Sequence, residues 1–429
     1  MPPTWQFDDS PNLQNPVEEP VVRSTGIEAA ADDDSQMEQG LALCLSGGGY
    51  RATVYHVGVF WRLNELGLLS KLQRISSVSG GSITAGTLGR NWGQLAFQGG
   101  VASEESFRAA LVKPIRAMTA VTIDLPAVGW GIFSPRQTIG EKIAGYYDQY
   151  LFHGNTLQHL PSDWNAKDAD PAKPAVKGPR FVINATNVMT GSLWRFAKPY
   201  MADYRVGIVK TPIVPLATAV AASSAFPPFL SPTRLELSGL TFEPEVPKKN
   251  DPLFDPRFRD AAVLTDGGVY DNLGLETVWK RYTDVLVSDA GRRMADDPLP
   301  ATDWAQHSRR LLDLLQFQTS NLRRRQVMSA LLDKNEPHDG AYWGIQSDLA
   351  NPVFETATGK LPYPIAKSRK MANIETRLAA MDDDTQERLI NWGYAICDAS
   401  IRSSFYKPGN RYFDASANPL PQFPYPARL

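Results

Sequence analysis

Three short stretches carry residue types able to do chemistry together. They are Ser46-Gly47-Gly48-Gly49, Ser77-Val78-Ser79-Gly80-Gly81 and Asp266-Gly267-Gly268. A serine at a sharp strand-to-helix turn has the geometry of an acyl-transfer nucleophile. Such a reaction also needs a base to take the hydroxyl proton and N–H donors for the developing oxyanion. Four serines crowd the second stretch (Ser76, Ser77, Ser79, Ser82), but only Ser79 stands where the strand ends and two glycines follow. Ser77 occupies the first glycine position of the G-x-S-x-G pattern, a departure small enough for the elbow to survive. A tight turn without catalysis is the plain alternative.

The triple glycine has two chemical readings. Gly47, Gly48 and Gly49 could bring backbone donors close to a phosphate or to an oxyanion. No lysine follows as in a P-loop, and no acidic ribose partner closes the second strand, so a nucleotide-binding module is the weaker reading. Arg51 is a possible anion or phosphate contact, with a structural salt bridge as its equal alternative. The base is also open. Asp266 sits at a strand end, where partial desolvation would raise its pKa to a useful range. A Ser-Asp-His triad of the α/β-hydrolase type could instead draw on His307 or His338. His56 falls on the helix after the glycines and reads as packing.

The elements that must position these residues alternate. An unbroken apolar strand, Leu41 to Leu45, precedes the glycines, and Val54, Val57, Phe60, Trp61, Leu63 and Leu66 recur at helical spacing after them. A second strand, Gln73 to Val78, leads into a helix from Gly80 to Trp92. This order predicts a parallel sheet with right-handed crossovers. Further helices are expected over Glu104–Met118, with Pro114 as a break, and over Thr138–Tyr150, Pro215–Ala225, Leu273–Tyr282, Trp304–Lys334 and Asp384–Ile401. Strands are expected at Phe181–Ala185, Leu193–Phe196, Ala262–Thr265, Asp284–Ser288 and Tyr342–Gln346. The apolar, glycine-rich stretch from Ile123 to Pro135, with Trp130 and Phe133, reads as a core-lining loop or as a flap over an acyl chain. Residues 1–40 form an acidic, proline-containing mobile tail, 41–300 a catalytic core, and 301–429 a helical extension packed on it.

Composition narrows the class. The chain has 429 residues, 43% of them apolar, and a net charge of -2, which gives no reason to expect nucleic acid as a partner. Cys44 and Cys397 lie in apolar surroundings and read as buried reduced thiols, and no histidine spacing suggests a metal site. No apolar run approaches the ~18 residues of a membrane span, and no basic region with an apolar core opens the chain. The expectation is a cytoplasmic protein, peripheral to the membrane when active.

Taken together, SGGGYRA (Ser46–Ala52), SVSGG (Ser77–Gly81) and DGGVYDNLG (Asp266–Gly274) resemble the patatin-like phospholipase family. NATNVMTG (Asn184–Gly191) and AVAASSAFPPFLSP (Ala219–Pro232) resemble its bacterial members, and the glycine-rich loop is also similar to cytosolic phospholipase A2. The match runs in order from Leu41 to Gly291. It implies a three-layer α/β/α fold with a mostly parallel central sheet, both site residues standing at strand C-terminal ends. It also implies a lipid acyl hydrolase of phospholipase A or lysophospholipase type, in which a Ser–Asp dyad works without histidine through an acyl-enzyme. Carried over residue by residue, Ser79 is the nucleophile, Asp266 the base, and Gly47, Gly48 and Gly49 the oxyanion donors. No cofactor or metal is implied. The implied partner is membrane phospholipid at the bilayer surface, with any regulatory partner or small-molecule activator left open.

Overall fold

The computed structural model describes residues 37–124, 138–166, 175–243, 255–333, 335–415 and 419–428. Most of the N-terminal tail and of the Ile123–Pro135 stretch, Trp130 and Phe133 included, lies outside the described residues.

The central sheet begins with β1 (Glu38–Leu45) and β2 (Leu72–Val78), which pair in parallel through Leu43 with Ile75 and Cys44 with Ser76. Two short strands, β3 (Ser162–Asp163) and β4 (Lys177–Gly178), form a separate ribbon. β5 (Arg180–Asn187) then joins β2 in parallel. From β5 an antiparallel meander runs outward through β6 (Ser192–Phe196), β7 (Tyr200–Asp203) and β8 (Gly207–Lys210). β9 (Thr233–Glu236) and β10 (Ala261–Asp266) form a hairpin-like pair laid against β5, and β11 (Tyr282–Asp289) and β12 (Asp339–Gly344) extend the other edge in parallel with β1. The result is a mixed, mostly parallel sheet of order β12-β11-β1-β2-β5-β6-β7-β8 at its backbone.

The strand period of two separates the layers. On β1, Leu41, Leu43 and Leu45 enter the main core, whereas Ala42 and Cys44 enter a second cluster with Leu273, Val285 and Val327. Helices α1 (Gly49–Glu65) and α2 (Gly80–Arg90) follow the two glycine turns on the main-core side. After α3 (Ile139–Tyr147), α4 (Leu216–Ser223) and the single turn α5 (Gly268–Asp271), the long helix α6 (Trp304–Leu332) covers the opposite face through Val327. The last helix, α7 (Asp383–Ser404), packs on α1. Their axes approach closely because two glycines meet backbone: a Cβ on Gly58 would lie 2.0 Å from Ile390 O, and one on Gly393 2.1 Å from Tyr55 O. The contact is tied by Arg62 and Asp398, both fully buried and 2.8 Å apart.

Four expectations need correction. The strand carrying Asp266 is antiparallel to β5, so the alternation does not continue as simple βα units. Leu273–Tyr282 is not a helix but a series of turns, with Gly274 at φ +72 packed against Ser76. Pro114 does not break the helical stretch it lies in; it sits in the first turn of Lys113–Thr119, after a π-helical turn over Arg108–Val112. The strands β3, β4, β7, β8 and β9 have no counterpart in the sequence pattern. Both cysteines are buried and free.

Candidate active site

Each of the three motifs ends a strand. β1 delivers Ser46 and the glycines to the start of α1, β2 delivers Ser79 to the start of α2, and β10 ends on Asp266 before α5. Ser79 stands at φ 52 and ψ -120, a backbone state that non-glycine residues rarely occupy and that persists only when its surroundings enforce it. The enforcement is visible. The Ser79 N–H donates to Ser223 Oγ at 2.9 Å, and the Ser79 carbonyl accepts from Ser82 N at 2.8 Å and Ile83 N at 3.1 Å. Ser223 Oγ in turn donates to Asn184 O at 2.6 Å. Gly80 is required here, since a Cβ would fall 2.2 Å from Gly49 O and force the two turns apart.

The neighbouring hydroxyls are all engaged elsewhere. Ser76 Oγ donates to Gly274 O at 2.6 Å, Ser77 Oγ to Val182 O at 3.3 Å, and Ser82 Oγ lies 3.1 Å from Ser77 Oγ and 2.9 Å from Ser223 Oγ. Ser77 therefore fits the elbow with its side chain bonded into the sheet.

Asp266 is buried and reaches Ser79 from the opposite direction. Its Oδ1 accepts the Gly268 N–H at 2.7 Å, and its main chain is fixed by Thr186 Oγ1 (2.8 Å, to O) and Ala225 O (3.0 Å, from N). Burial pushes its pKa up to about 6, while the Gly268 N–H and the Ser79 hydroxyl pull the other way by favouring the anion. No hydrogen bond of ordinary geometry closes between Ser79 and the carboxylate, and Oδ2 has no partner among the described residues. Catalytic contacts are commonly loose before substrate binds.

The glycine turn divides by use. The Gly47 N–H donates to Asn272 O at 3.1 Å, and the Tyr50 N–H to Arg377 O at 3.0 Å. Between them, the Gly48 and Gly49 N–H groups have no acceptor among the described residues, and they stand at the positive end of α1. Gly47 and Gly48 share one pocket, about 290 Å³, with Ser79 and Asp266.

Arg51 also borders that pocket, but its guanidinium is fully buried and mostly committed to main-chain carbonyls. It donates to Ala290 O through Nε (3.2 Å) and Nη2 (2.9 Å), and through Nη1 to Ile374 O and Thr376 Oγ1 (3.2 Å). Burial, with Arg292 nearby and Asp289 opposing, lowers its pKa to about 10. It ties the glycine turn to the segment around 374–377; none of its contacts is a salt bridge.

None of the five histidines lines the pocket. His56 is buried between Ser288 Oγ (3.1 Å) and Ser46 O (3.0 Å), and burial lowers its pKa to about 4, so it packs as a neutral ring. His338 stacks on Trp279 at 3.9 Å and bonds its carbonyl, and His307 borders an adjoining cavity instead. The remaining wall lies outside the three motifs. It brings in Arg292, Arg293, Arg309, Arg310, Arg324 and Arg377 from later segments. Asn184 and Ser223, which brace Ser79, lie inside the two extra stretches quoted above, but nothing in those stretches announced that task.

Among solved structures, the chain is similar to human GIVD cytosolic phospholipase A2, with 12% identity over 88% of this chain and 64% of that one, at a TM-score of 0.49. It is also similar to VipD from Legionella pneumophila, with 14% identity over 83% of this chain and 67% of that one, at a TM-score of 0.29. The chain thus spans less than two-thirds of the length of the human structure. No curated protein matches it. The family model for patatin-like phospholipase matches residues 43–279, more than half of the chain, and the chain belongs to that family.

Proposed function

We propose that this protein hydrolyses fatty-acyl esters of phospholipids, as a phospholipase A or lysophospholipase, with Ser79 and Asp266 as a dyad. The carboxylate takes the Ser79 proton as Oγ bonds to the ester carbonyl carbon. The carbonyl oxygen becomes an oxyanion held by the Gly48 and Gly49 N–H groups. Collapse of this intermediate breaks the ester C–O bond, and Asp266 returns the proton to the departing alcohol, leaving an acyl-Ser79. Water then attacks the acyl carbon, Asp266 takes its proton, and the fatty acid leaves as the proton returns to Ser79. Gly47 acts as the spacer whose own N–H anchors the turn to Asn272.

The observation that carries the reading is the meeting of a strained serine and a buried carboxyl of raised pKa in one pocket that no histidine borders. A dyad is the economical chemistry for such a site, because a carboxylate near pKa 6 is both ionised at neutral pH and basic enough to share a proton. Mass-spectrometric mapping of fluorophosphonate labelling, combined with fatty-acid release from mixed liposomes, tests it. Label on Ser79, lost together with turnover in Ser79→Ala, is expected. Label elsewhere, or unchanged turnover in that variant, would reject the proposal.

A further inference from the structure

Up to Arg324, before Val327 enters the core, helix α6 carries its polarity the wrong way round for a helix that covers a protein. Asp313, Gln316, Ser320 and Arg324 face inward and border the pocket that holds Ser79 and Asp266. At about 100° per residue, Trp304, Leu311, Leu315 and Leu322 fall on one narrow stripe roughly opposite the buried Ser320. All four are exposed, Trp304 by 84% and Leu315 and Leu322 by more than 60%. Ser308, Thr319 and Gln326 complete that stripe, so no charge interrupts it over ~27 Å of helix. A surface helix ordinarily turns its apolar stripe to the core. One that turns it outward marks a partner surface.

Charge says which partner. Within α6, five arginines (Arg309, Arg310, Arg323, Arg324 and Arg325) stand against one carboxylate, Asp313, in a chain whose net charge is -2. Arg323 and Arg324 are held by Glu276 and Asp289, and Arg325 is exposed beside the stripe. At the pocket mouth Arg292, Arg309 and Arg310 share the field of Asp313, Arg310 also pairs with Asp297 at 3.8 Å, and Arg309 lies 5.5 Å over the half-exposed Phe229. An aromatic and leucine stripe with Arg325 at its edge, on a helix whose opposite face carries Arg309 and Arg310, has the composition of a helix that lies in an anionic membrane interface. A second copy of this chain would have to bring the same positive helix against this one. Among the described residues no helix is long and apolar enough to cross a membrane, so α6 would lie on the bilayer rather than span it.

We propose that the outer face of α6 is the surface by which this protein sits on an anionic lipid bilayer. Trp304, Leu315 and Leu322 enter the acyl boundary, and the arginines meet phosphates at the mouth of the pocket. The inference rests on the acyl-hydrolase reading of that pocket and adds where the lipid surface lies.

Flotation of the full chain, carrying Ser79→Ala to prevent turnover, with vesicles of phosphatidylcholine alone or with about one-third phosphatidylglycerol, tests it directly. Partitioning onto the mixed vesicles is expected, weakening as salt is raised. Adding Trp304→Ser, Leu315→Ser and Leu322→Ser should lower it roughly ten-fold or more, since each side chain loses a burial partner. The same three changes with Ser79 intact should leave hydrolysis of a short soluble ester within about two-fold, because none of them borders the pocket, which also shows that the variant folds. Unchanged partitioning in the triple variant would overturn the proposal. So would a wild-type dimer that the triple variant converts to monomers, as read by light scattering. Vesicle binding without any esterase activity would instead reject the acyl-hydrolase reading and leave the docking surface standing.

Discussion

Ser79 and Asp266 leave the ends of two strands that are paired to adjacent residues of β5. Val78 pairs with Asn184 in parallel, and Asp266 pairs with Ala185 in the antiparallel sense. β6 occupies the other edge of β5, from Ile183 to Asn187. β2 and β10 therefore lie end to end along a single edge of β5, their C-terminal ends facing each other. Ser79 and Asp266 need no loop to bring them together. The backbone register does it.

If that junction is a dyad, substitution should separate it cleanly from a histidine triad. Asp266→Asn keeps an oxygen for the Gly268 N–H and so preserves the turn, but it cannot accept the serine proton. Hydrolysis should fall by about 10³-fold or more, comparable to Ser79→Ala. His307→Ala and His338→Ala should stay within about two-fold. The check is kcat/KM on one soluble ester across the four variants; collapse of activity in either histidine variant would favour a triad.

The raised pKa of Asp266 sets a pH dependence with two opposite signs. With Asp266 as the proposed base, activity needs the ionised carboxylate, so kcat/KM should rise through about pH 6 and level off above it. Stability runs the other way. A carboxyl whose folded pKa lies above its unfolded value binds its proton more tightly when folded, so its contribution is present at low pH and lost as pH rises from about 4 through about 6. The ionised group should therefore weaken the fold at pH 7 by up to roughly 3 kcal/mol relative to the protonated one. Asp266→Asn, inactive, should melt above the wild type at pH 7 and converge with it near pH 4. Parallel melting curves across that range would mean that the carboxyl is not desolvated.

Much of this was readable because it is local. An apolar run, a glycine turn and a helical stripe lie within a few dozen residues of one another around Ser46–Ala52 and again around Ser77–Gly81, so both turns and their helices could be read. Asp266 could be read as a strand-end carboxylate for the same reason. The direction of its strand could not, since six residues of β10 look alike in either sense and only pairing with Ala185, Thr186 and Asn187 decides it. The spent N–H of Gly47 was equally hidden, because its acceptor, Asn272, lies in a different motif. Leu273–Tyr282 misled because its apolar spacing suits a helix, whereas Gly274 at φ +72 and the Arg74 bond to Thr277 O hold it in turns. The arginine wall depends on where α6 crosses the sheet, which no local pattern encodes.

The elbow's strain makes Ser223 a positioning residue. Its hydroxyl accepts from Ser79 N and donates to Asn184 O, so Ser223→Ala strands a buried donor at the one residue whose backbone most needs fixing. The loss should cost about 1–3 kcal/mol of stability. The labelling rate of Ser79 by a fluorophosphonate should drop by roughly ten-fold or more, and ester turnover should fall through kcat rather than KM. Ser223→Thr, which restores the oxygen, should recover part of that rate. A fall in stability with an unchanged labelling rate would make Ser223 merely structural.

The Arg62–Asp398 pair offers a test away from the site, of how firmly α7 belongs to the fold. Both side chains are fully buried; Asp398 also takes Arg402 through Oδ2 at 2.6 Å, and Arg62 reaches Glu65 and Pro419 O, each at 2.8 Å. Asp398→Ala would leave the guanidinium buried against a lost anion, at a cost of about 3–5 kcal/mol. Replacing both groups, Arg62→Met with Asp398→Leu, removes the buried guanidinium with its partner and should recover part of that loss, Arg402 still lacking its carboxylate. Urea unfolding followed by intrinsic fluorescence reads both variants, since Trp392 is buried in α7 itself. A single transition that shifts with Asp398→Ala would show α7 unfolding together with the sheet. A separate early transition, with catalytic activity persisting beyond it, would show that α7 is an appendage on a core that stands without it.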